Sequence, residues 1–246
     1  MRVAVFRPDD DRIASAVAAI EERGWTAHAD PLLAVEPTGA EPETDADVVV
    51  FTSTTGVGIA LDAVEPEALT AATVAAIGPK TAAALREGGV TVDVVPEEYT
   101  SAGLVAALAD RVDGRRVEVA RSDHGDPALL QGLEDAGATV HETVLYRLTR
   151  PDGAGEATVD ALLAGNLDAV LFTSSLTVEH LLEAAGDRRA DAVEALEDVV
   201  VGAIGEPTAA TAGERGIEVD VVPGEATFPA LLEALRATVD GDGGEA

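Results

Sequence analysis

The sequence predicts an α/β protein built from two related units with parallel sheets. Three observations carry that reading. Short β-branched runs alternate with Ala/Leu-rich amphipathic stretches along nearly the whole chain, tight-hairpin signals are scarce, and a long internal repeat is present. Strands separated by helices rather than by two-residue turns need crossover connections, which implies parallel sheets covered on both faces. At 246 residues and 47% apolar, the chain is long enough for two cores of roughly 120 residues each.

Taken in order, strands are expected at Val3 to Phe6, Thr26 to Val35, Val48 to Thr52, Val74 to Ile77, Val92 to Val95, Val117 to Ala120, Val140 to Leu148, Ala169 to Thr173, Val199 to Ile204 and Val219 to Val222, where Val, Ile and Thr concentrate. Helices are expected between them, at Asp11 to Arg23, Gly56 to Ala63, Lys80 to Glu87, Ser101 to Val112, Pro127 to Ala136, Glu156 to Ala164, Val178 to Ala185, Pro207 to Arg215 and Phe228 to Thr238. These stretches recur with apolar residues on one face, and several open on Ser, Thr or Pro. Gly241 to Ala246 is expected to be a frayed tail.

The repeat is specific. Val48-Val-Val-Phe-Thr-Ser53 returns as Ala169-Val-Leu-Phe-Thr-Ser174, and Ala75 to Leu108 returns as Gly202 to Leu235 at constant offset. Polar and glycine positions coincide as well as apolar ones: Gly78/Gly205, Thr81/Thr208, Gly89/Gly216, Pro96/Pro223 and Thr100/Thr227. Each copy holds three strands, too few for a covered sheet. Val117 to Leu148 can add two to the first copy, and Val3 to Val35 two to the second. The expected division is a discontinuous domain, 1–36 plus 150–246, and an inserted domain, 37–149. Leu32 to Val35 and Val144 to Leu148 would then run side by side as the connector, near the Pro/Gly-rich stretches Glu36 to Glu43 and Pro151 to Glu156.

In doubly wound sheets, ligands sit beyond the carboxyl ends of the strands, where helix N-termini offer unpaired N–H groups. Both copies place hydroxyls there, at Thr52 and Ser53 and at Thr173, Ser174 and Ser175. Both also place Ile-Gly, ending in Gly78 and Gly205, before a helix opened by Pro79 or Pro207 and followed by Thr81 or Thr208. Facing across a cleft, these would form an anion-binding surface needing few basic side chains. The same residues also serve simply as caps and turns. Arg121 ends a strand and either faces the cleft or pairs with a nearby acid. Tyr146, on a connector strand, reads from sequence as a half-buried aromatic packing the junction. His28, His124, His141 and His180 lack metal-ligand spacing and read as surface or structural residues, so no metal is expected. Gly56-Val57-Gly58 suggests a nucleotide-dependent enzyme only weakly, because the third fingerprint glycine is replaced by Leu61.

Charge and cysteine content narrow the classes. The chain has 46 acidic and 16 basic residues, net −30, with Lys80 as its single lysine and no cysteine. Disulfide and thiolate chemistry are excluded. Uniform acidity argues against nucleic acid or an anionic membrane as partner and fits adaptation to a salt-rich cytoplasm, where screening is short-ranged. The low-charge stretch Ala68 to Leu85 is broken by Gly78, Pro79 and Lys80, and no basic-then-apolar leader precedes Val3. A cytoplasmic monomer that meets no membrane is expected.

FTS followed by a helix, IGPKTAAALREGG with VDVVPEEYTSAGL, the strand leading to VLYRLTRP, DAVLFTSS, and AIGEPTAATAGERGIEVDVVP, in that order, resemble the uroporphyrinogen-III synthase family over nearly the whole chain. The resemblance implies two flavodoxin-like domains joined by a two-stranded connector. It implies closure of hydroxymethylbilane, a linear tetrapyrrole with eight carboxylates, to uroporphyrinogen III. The ring-A hydroxyl leaves as water and ring D inverts through a spiro intermediate, with neither cofactor nor metal. Tyr146, in VLYRL, takes the place of the family's cleft tyrosine, which assists loss of the hydroxyl. Thr52, Ser53, Thr81, Thr173, Ser174 and Thr208 fall on the cleft-lining loops. The family's common FTSxN form is absent, since Thr54-Thr55 and Ser175-Leu176 follow the two triplets. The competing class is a non-catalytic two-domain clamp for an anionic metabolite.

Overall fold

The structure, a computed structural model, describes residues 1–8 and 11–242. In chain order the elements are β1 (Arg2–Val5), α1 (Asp11–Glu21), β2 (Thr26–Ala29), β3 (Ala34–Pro37), β4 (Val48–Phe51), α2 (Thr54–Ala63), α3 (Pro66–Leu69), β5 (Thr73–Ala76), α4 (Pro79–Glu87), α5 (Ser101–Val112), β6 (Arg116–Ser122), α6 (Pro127–Asp135) and β7 (Thr139–Thr149). They continue with α7 (Glu156–Leu163), β8 (Ala169–Phe172), α8 (Ser175–Ala185), a 3-10 turn (Gly186–Arg188), α9 (Arg189–Leu196), β9 (Val200–Ala203), α10 (Glu206–Glu214) and α11 (Phe228–Asp242).

By contacts the chain divides into two compact units, Met1–Ala34 with Thr149–Ala246, and Val35–Leu148. The sheet of the first is ordered β2-β1-β8-β9, every pair parallel, with Val221 bridged to Gly202 at its edge. Counting that bridge as a fifth strand, the order is 2-1-3-4-5, the flavodoxin-like arrangement. The second sheet is ordered β3-β7-β6-β4-β5, with Val94 bridged to Ala75. Without β3, and starting the count at β6, it reads 2-1-3-4-5 again, so the inserted unit is a circular permutation of the same fold. β3 neighbours β7, and Thr38 N donates to Leu145 O at 3.0 Å. The chain passes between units inside these two strands, which form the connector.

Burial explains why the short runs become strands. Val3, Val5, Ala169 and Leu171 pack on one face of the first sheet, and Ala4, Phe6, Val170 and Phe172 on the other. In the second, Val48, Val50 and Ala75 face one way and Val49, Phe51, Val74 and Ala76 the other. A strand buried on both faces carries a continuous apolar run rather than an alternating one. Each large side chain withdrawn from water in this way contributes about 1.5–3 kcal/mol. Phe6 and Phe172 meet with ring centroids 5.6 Å apart.

Four expectations are corrected. The strand expected from Thr26 to Val35 is two strands, because Pro31 lacks an N–H and Asp30 turns inward, accepting from Gly155 N at 3.1 Å and Thr158 Oγ1 at 2.6 Å. The strands expected at Val92 to Val95 and Val219 to Val222 shrink to single bridged residues. There Asp93 Oδ2 accepts from Val74 N at 2.8 Å and Asp220 Oδ2 from Val201 N at 2.7 Å. A side chain thus replaces a ladder carbonyl in both copies. Helices α3 and α9 were not expected; α9 buries only Ala192 and Leu196, too little periodicity to register. Of the expected tail, Gly241 and Asp242 close α11, and the remainder lies outside the described residues.

Candidate active site at the carboxyl ends of the strands

A flavodoxin-like sheet has its switch point where connections leave in opposite directions, and loops after the flanking strands part there to admit a ligand. In the first unit those strands are β1 and β8; in the second, β6 and β4. Both Phe-Thr-Ser triplets therefore end a switch-point strand.

In the second unit, Ser53 is the N-cap of α2, in extended conformation, and its Oγ accepts from Gly56 N at 2.9 Å. The same Oγ lies 2.9 Å from Tyr146 Oη, and the two share a hydrogen bond. Tyr146 reaches Ser53 from β7, which lies beside β6; its ring is only 6% exposed and belongs to the core beneath α2. At Gly56 a Cβ would stand 3.1 Å from Ser53 Oγ, a tight contact, and 3.7 Å from the Tyr146 ring, an ordinary one. At Gly58 a Cβ would meet nothing. The first glycine of the GxG thus permits close packing beneath the serine–tyrosine pair, and the second has no such duty. Thr52 is half-buried at the strand end.

The first unit repeats the design with different wiring. Ser174 caps α8 in a capping box with Thr177, each backbone N–H meeting the other's hydroxyl at 3.3 Å. Thr173 Oγ1 donates to Phe6 O at 2.5 Å, tying the end of β8 to the end of β1 across the switch point. Ser175 Oγ donates to Pro207 O at 3.1 Å and accepts from Thr211 Oγ1 at 2.8 Å, which fastens α8 to α10.

Gly78 and Gly205 are the N-caps of α4 and α10, with φ of −167° and −175°. That is ordinary extended backbone, so dihedral angle does not demand glycine at either. Thr81 and Thr208 sit in the first turns that follow, 5% and 4% exposed. Arg121 takes the second of its two expected roles. It is 4% exposed, its Nε donates to Glu142 Oε1 at 2.6 Å, and its Nη1 donates to Asp126 O at 2.6 Å. So engaged, the side chain shapes the turn between β6 and α6; a Cβ on Gly125 would come within 2.5 Å of Arg121 Cδ and 2.7 Å of its Nε.

One residue escaped the sequence reading. Tyr99 is 61% exposed and packs its Cβ and ring edge over Gly78, 3.5 Å from where a Cβ would stand. Its counterpart in the other copy is Ala226, which lies over Gly205 in the same way. The sole signal was an aromatic in one copy where the other has alanine.

Two flavodoxin-like units, each with a hydroxyl-capped helix after a switch-point strand, define the class as a duplicated α/β protein. Comparison with known proteins makes the assignment particular. The uroporphyrinogen-III synthase (HemD) family profile matches residues 14–233. A relative from Methanothermobacter thermautotrophicus, provisionally named uroporphyrinogen-III synthase, is 37% identical over 98% of this chain and 99% of its own. The Synechococcus elongatus uroporphyrinogen-III synthase is 30% identical over 66% of this chain and 62% of its own. A solved structure of a mutant Thermus thermophilus uroporphyrinogen III synthase shares the fold, with TM-score 0.71 and 24% identity over 98% of this chain and 99% of its own. The chain belongs to the uroporphyrinogen-III synthase family, cofactor-independent lyases that close a tetrapyrrole ring.

Proposed function

We propose that this chain converts hydroxymethylbilane to uroporphyrinogen III, and that Tyr146 and Ser53 assist departure of the ring-A hydroxyl. The observation that carries the reading is the 2.9 Å hydrogen bond between Tyr146 Oη and Ser53 Oγ, placed at the carboxyl end of a switch-point strand. Gly56 N–H already occupies one acceptor position of Ser53. When Ser53 then donates to Tyr146, the phenol proton points outward, toward a leaving hydroxyl. A phenol of pKa near 10 is a hydrogen-bond donor at neutral pH and assists loss of water without giving up its proton beforehand. The electron-rich pyrrole supplies the push that expels the hydroxyl. Protein donors hold the chain ends together so that the substituted carbon of ring D attacks and the ring inverts.

Thr52 and Ser174, the backbone amides at Thr173 and Ser175, the first-turn amides behind Gly78 and Gly205, and the hydroxyls of Thr81 and Thr208 supply donors to the substrate's carboxylates, while the hydroxyls of Thr173 and Ser175 already donate to Phe6 O and Pro207 O. Helix N-termini suit that task in so acidic a chain, because they attract anions without basic side chains. Tyr99 offers an aromatic face to a pyrrole ring. The protein acts as a cytoplasmic monomer on a free small molecule; among the described residues no helix is long and apolar enough to cross a membrane. The test is to supply freshly generated hydroxymethylbilane at high salt and separate the oxidised porphyrin isomers. Isomer III is expected in excess, whereas isomer I alone, the product of unassisted closure, overturns the assignment.

A further inference from the structure

We propose that Glu43, Glu118 and His141 form a site for one divalent transition cation of the zinc class. The site lies at the amino-terminal half of β6 and β7, at the opposite end of the strands from the hydroxyl loops. Glu118 sits on β6 paired with Val49 on β4 and with His141 on β7. It is fully buried. Its Oε2 lies 2.6 Å from His141 Nδ1, and its Oε1 has no hydrogen-bond partner. A buried carboxylate oxygen left without a partner is costly.

Glu43, on the segment between β3 and β4, brings Oε1 to 3.8 Å from His141 Nε2. One donor atom from each of the three residues falls within a 4.8 Å cluster. Donors on one zinc-sized ion, at about 2.0–2.2 Å each, stand at most about 4.4 Å apart. Glu118 meets Nδ1 of His141 and Glu43 approaches Nε2, so one ion gathers all three only when the His141 ring turns to aim a single nitrogen between the carboxylates and Glu43 swings in; both side chains are partly exposed. Charge points the same way. Glu43, Asp45 and Glu118 bring three negative charges, and Arg116 brings one positive charge, held by Glu43 at 2.8 Å and Asp45 at 2.9 Å. Two negative charges remain, which a divalent cation balances. An imidazole among carboxylates favours zinc, cobalt or nickel over magnesium or calcium. His141 is 54% exposed, so water can complete the shell. Bound there, the ion pins the segment between β3 and β4 onto β6 and β7.

The competing occupant is a proton: a doubly protonated His141 is itself a counter-ion for Glu118. Chelator-treated protein in about 1 M KCl, where screening shortens to about 3 Å and diffuse cation binding fades, is titrated with Zn²⁺ by calorimetry and with Co²⁺ by visible absorption. The site predicts one saturable equivalent, a rise in Tm with Zn²⁺, and Co²⁺ d–d bands. Glu43→Gln and His141→Ala are each expected to weaken Zn²⁺ binding at least about tenfold. Glu118→Gln is expected to do the same, and Glu43→Gln decides if that variant fails to fold. Absence of saturable binding to the unaltered protein overturns the proposal and leaves the imidazolium as sole counter-ion. Equal binding by Glu43→Gln and His141→Ala overturns it too, assigning the cations to the acidic surface at large.

Discussion

Tyr146 and Ser53 are separated by 93 positions in sequence, and each alone reads blandly, one as a packing aromatic and the other as a cap. Their pairing gives both a chemical sense. Tyr146→Phe is expected to keep the ring's packing and lower kcat by about 10–100-fold without abolishing turnover, with KM little changed. Ser53→Ala is expected to slow the same step. On the proposed roles the two act through one hydrogen bond, so the double variant should lose less than the sum, as a double-mutant cycle on kcat would reveal; full additivity would mean the serine does not work through the tyrosine. Asp126 supplies a pH test at the same scale. It caps α6, accepting from Ala128 N at 2.9 Å, and this amide, with the Ser101 hydroxyl, holds its carboxyl below the usual 3.8. A lowered folded-state pKa gives stability that is present above the unfolded value and disappears as pH falls through the folded one. Asp126→Ala should therefore cost about 0.5–2 kcal/mol at neutral pH, and its Tm should converge on that of the unaltered protein under strongly acidic conditions.

At the scale of elements, the internal repeat made most of the fold legible. Val48 to Ser53 and its copy Ala169 to Ser174 announce a strand, a hydroxyl pair and a helix, and these appear where expected, because doubly buried strands need a continuous apolar run. Positions kept in both copies divide by duty. Gly89 and Gly216 follow their helices with φ of +86° and +81°, where side chains are strained. Thr100 Oγ1 accepts from Gly103 N and Thr227 Oγ1 from Ala230 N. Shared ancestry and shared capping thus account for much of the likeness that first suggested a ligand. The edge strands misread for a related reason: Asp93 and Asp220 make a strand-like bond with a side chain, which no hydrophobic period can reveal. Asp93→Ala and Asp220→Ala leave the amides of Val74 and Val201 without that acceptor, and each is expected to cost about 1–3 kcal/mol in chemical unfolding. Lying in separate units, the two losses should add. Tyr99 was beyond such pattern reading, and for Arg121 the sequence left two roles open, the choice between which depends on tertiary neighbours such as Glu142.

For the molecule as a whole, the dominant quantity is a net charge of −30 set against a substrate with eight carboxylates. Like-charge repulsion weakens both folding and substrate encounter, and salt shortens its range from about 10 Å at 0.1 M to about 3 Å at 1 M. KM for hydroxymethylbilane should therefore fall as KCl rises across that range, the reverse of the trend for an enzyme that draws an anion with a basic patch. Circular dichroism should show structure lost in dilute buffer and regained with salt; cooperative folding in dilute buffer would contradict adaptation to high salt. Composition made this charge visible at once, and the repeat pointed to the hydroxyls at the strand ends; the topology added that both triplets end a switch-point strand. Synthase activity is measured most directly by the isomer ratio formed from fresh hydroxymethylbilane in high salt. Mainly uroporphyrinogen III is expected with the unaltered protein, and a slower approach to the same isomer with Tyr146→Phe; folded protein yielding only isomer I would overturn the assignment.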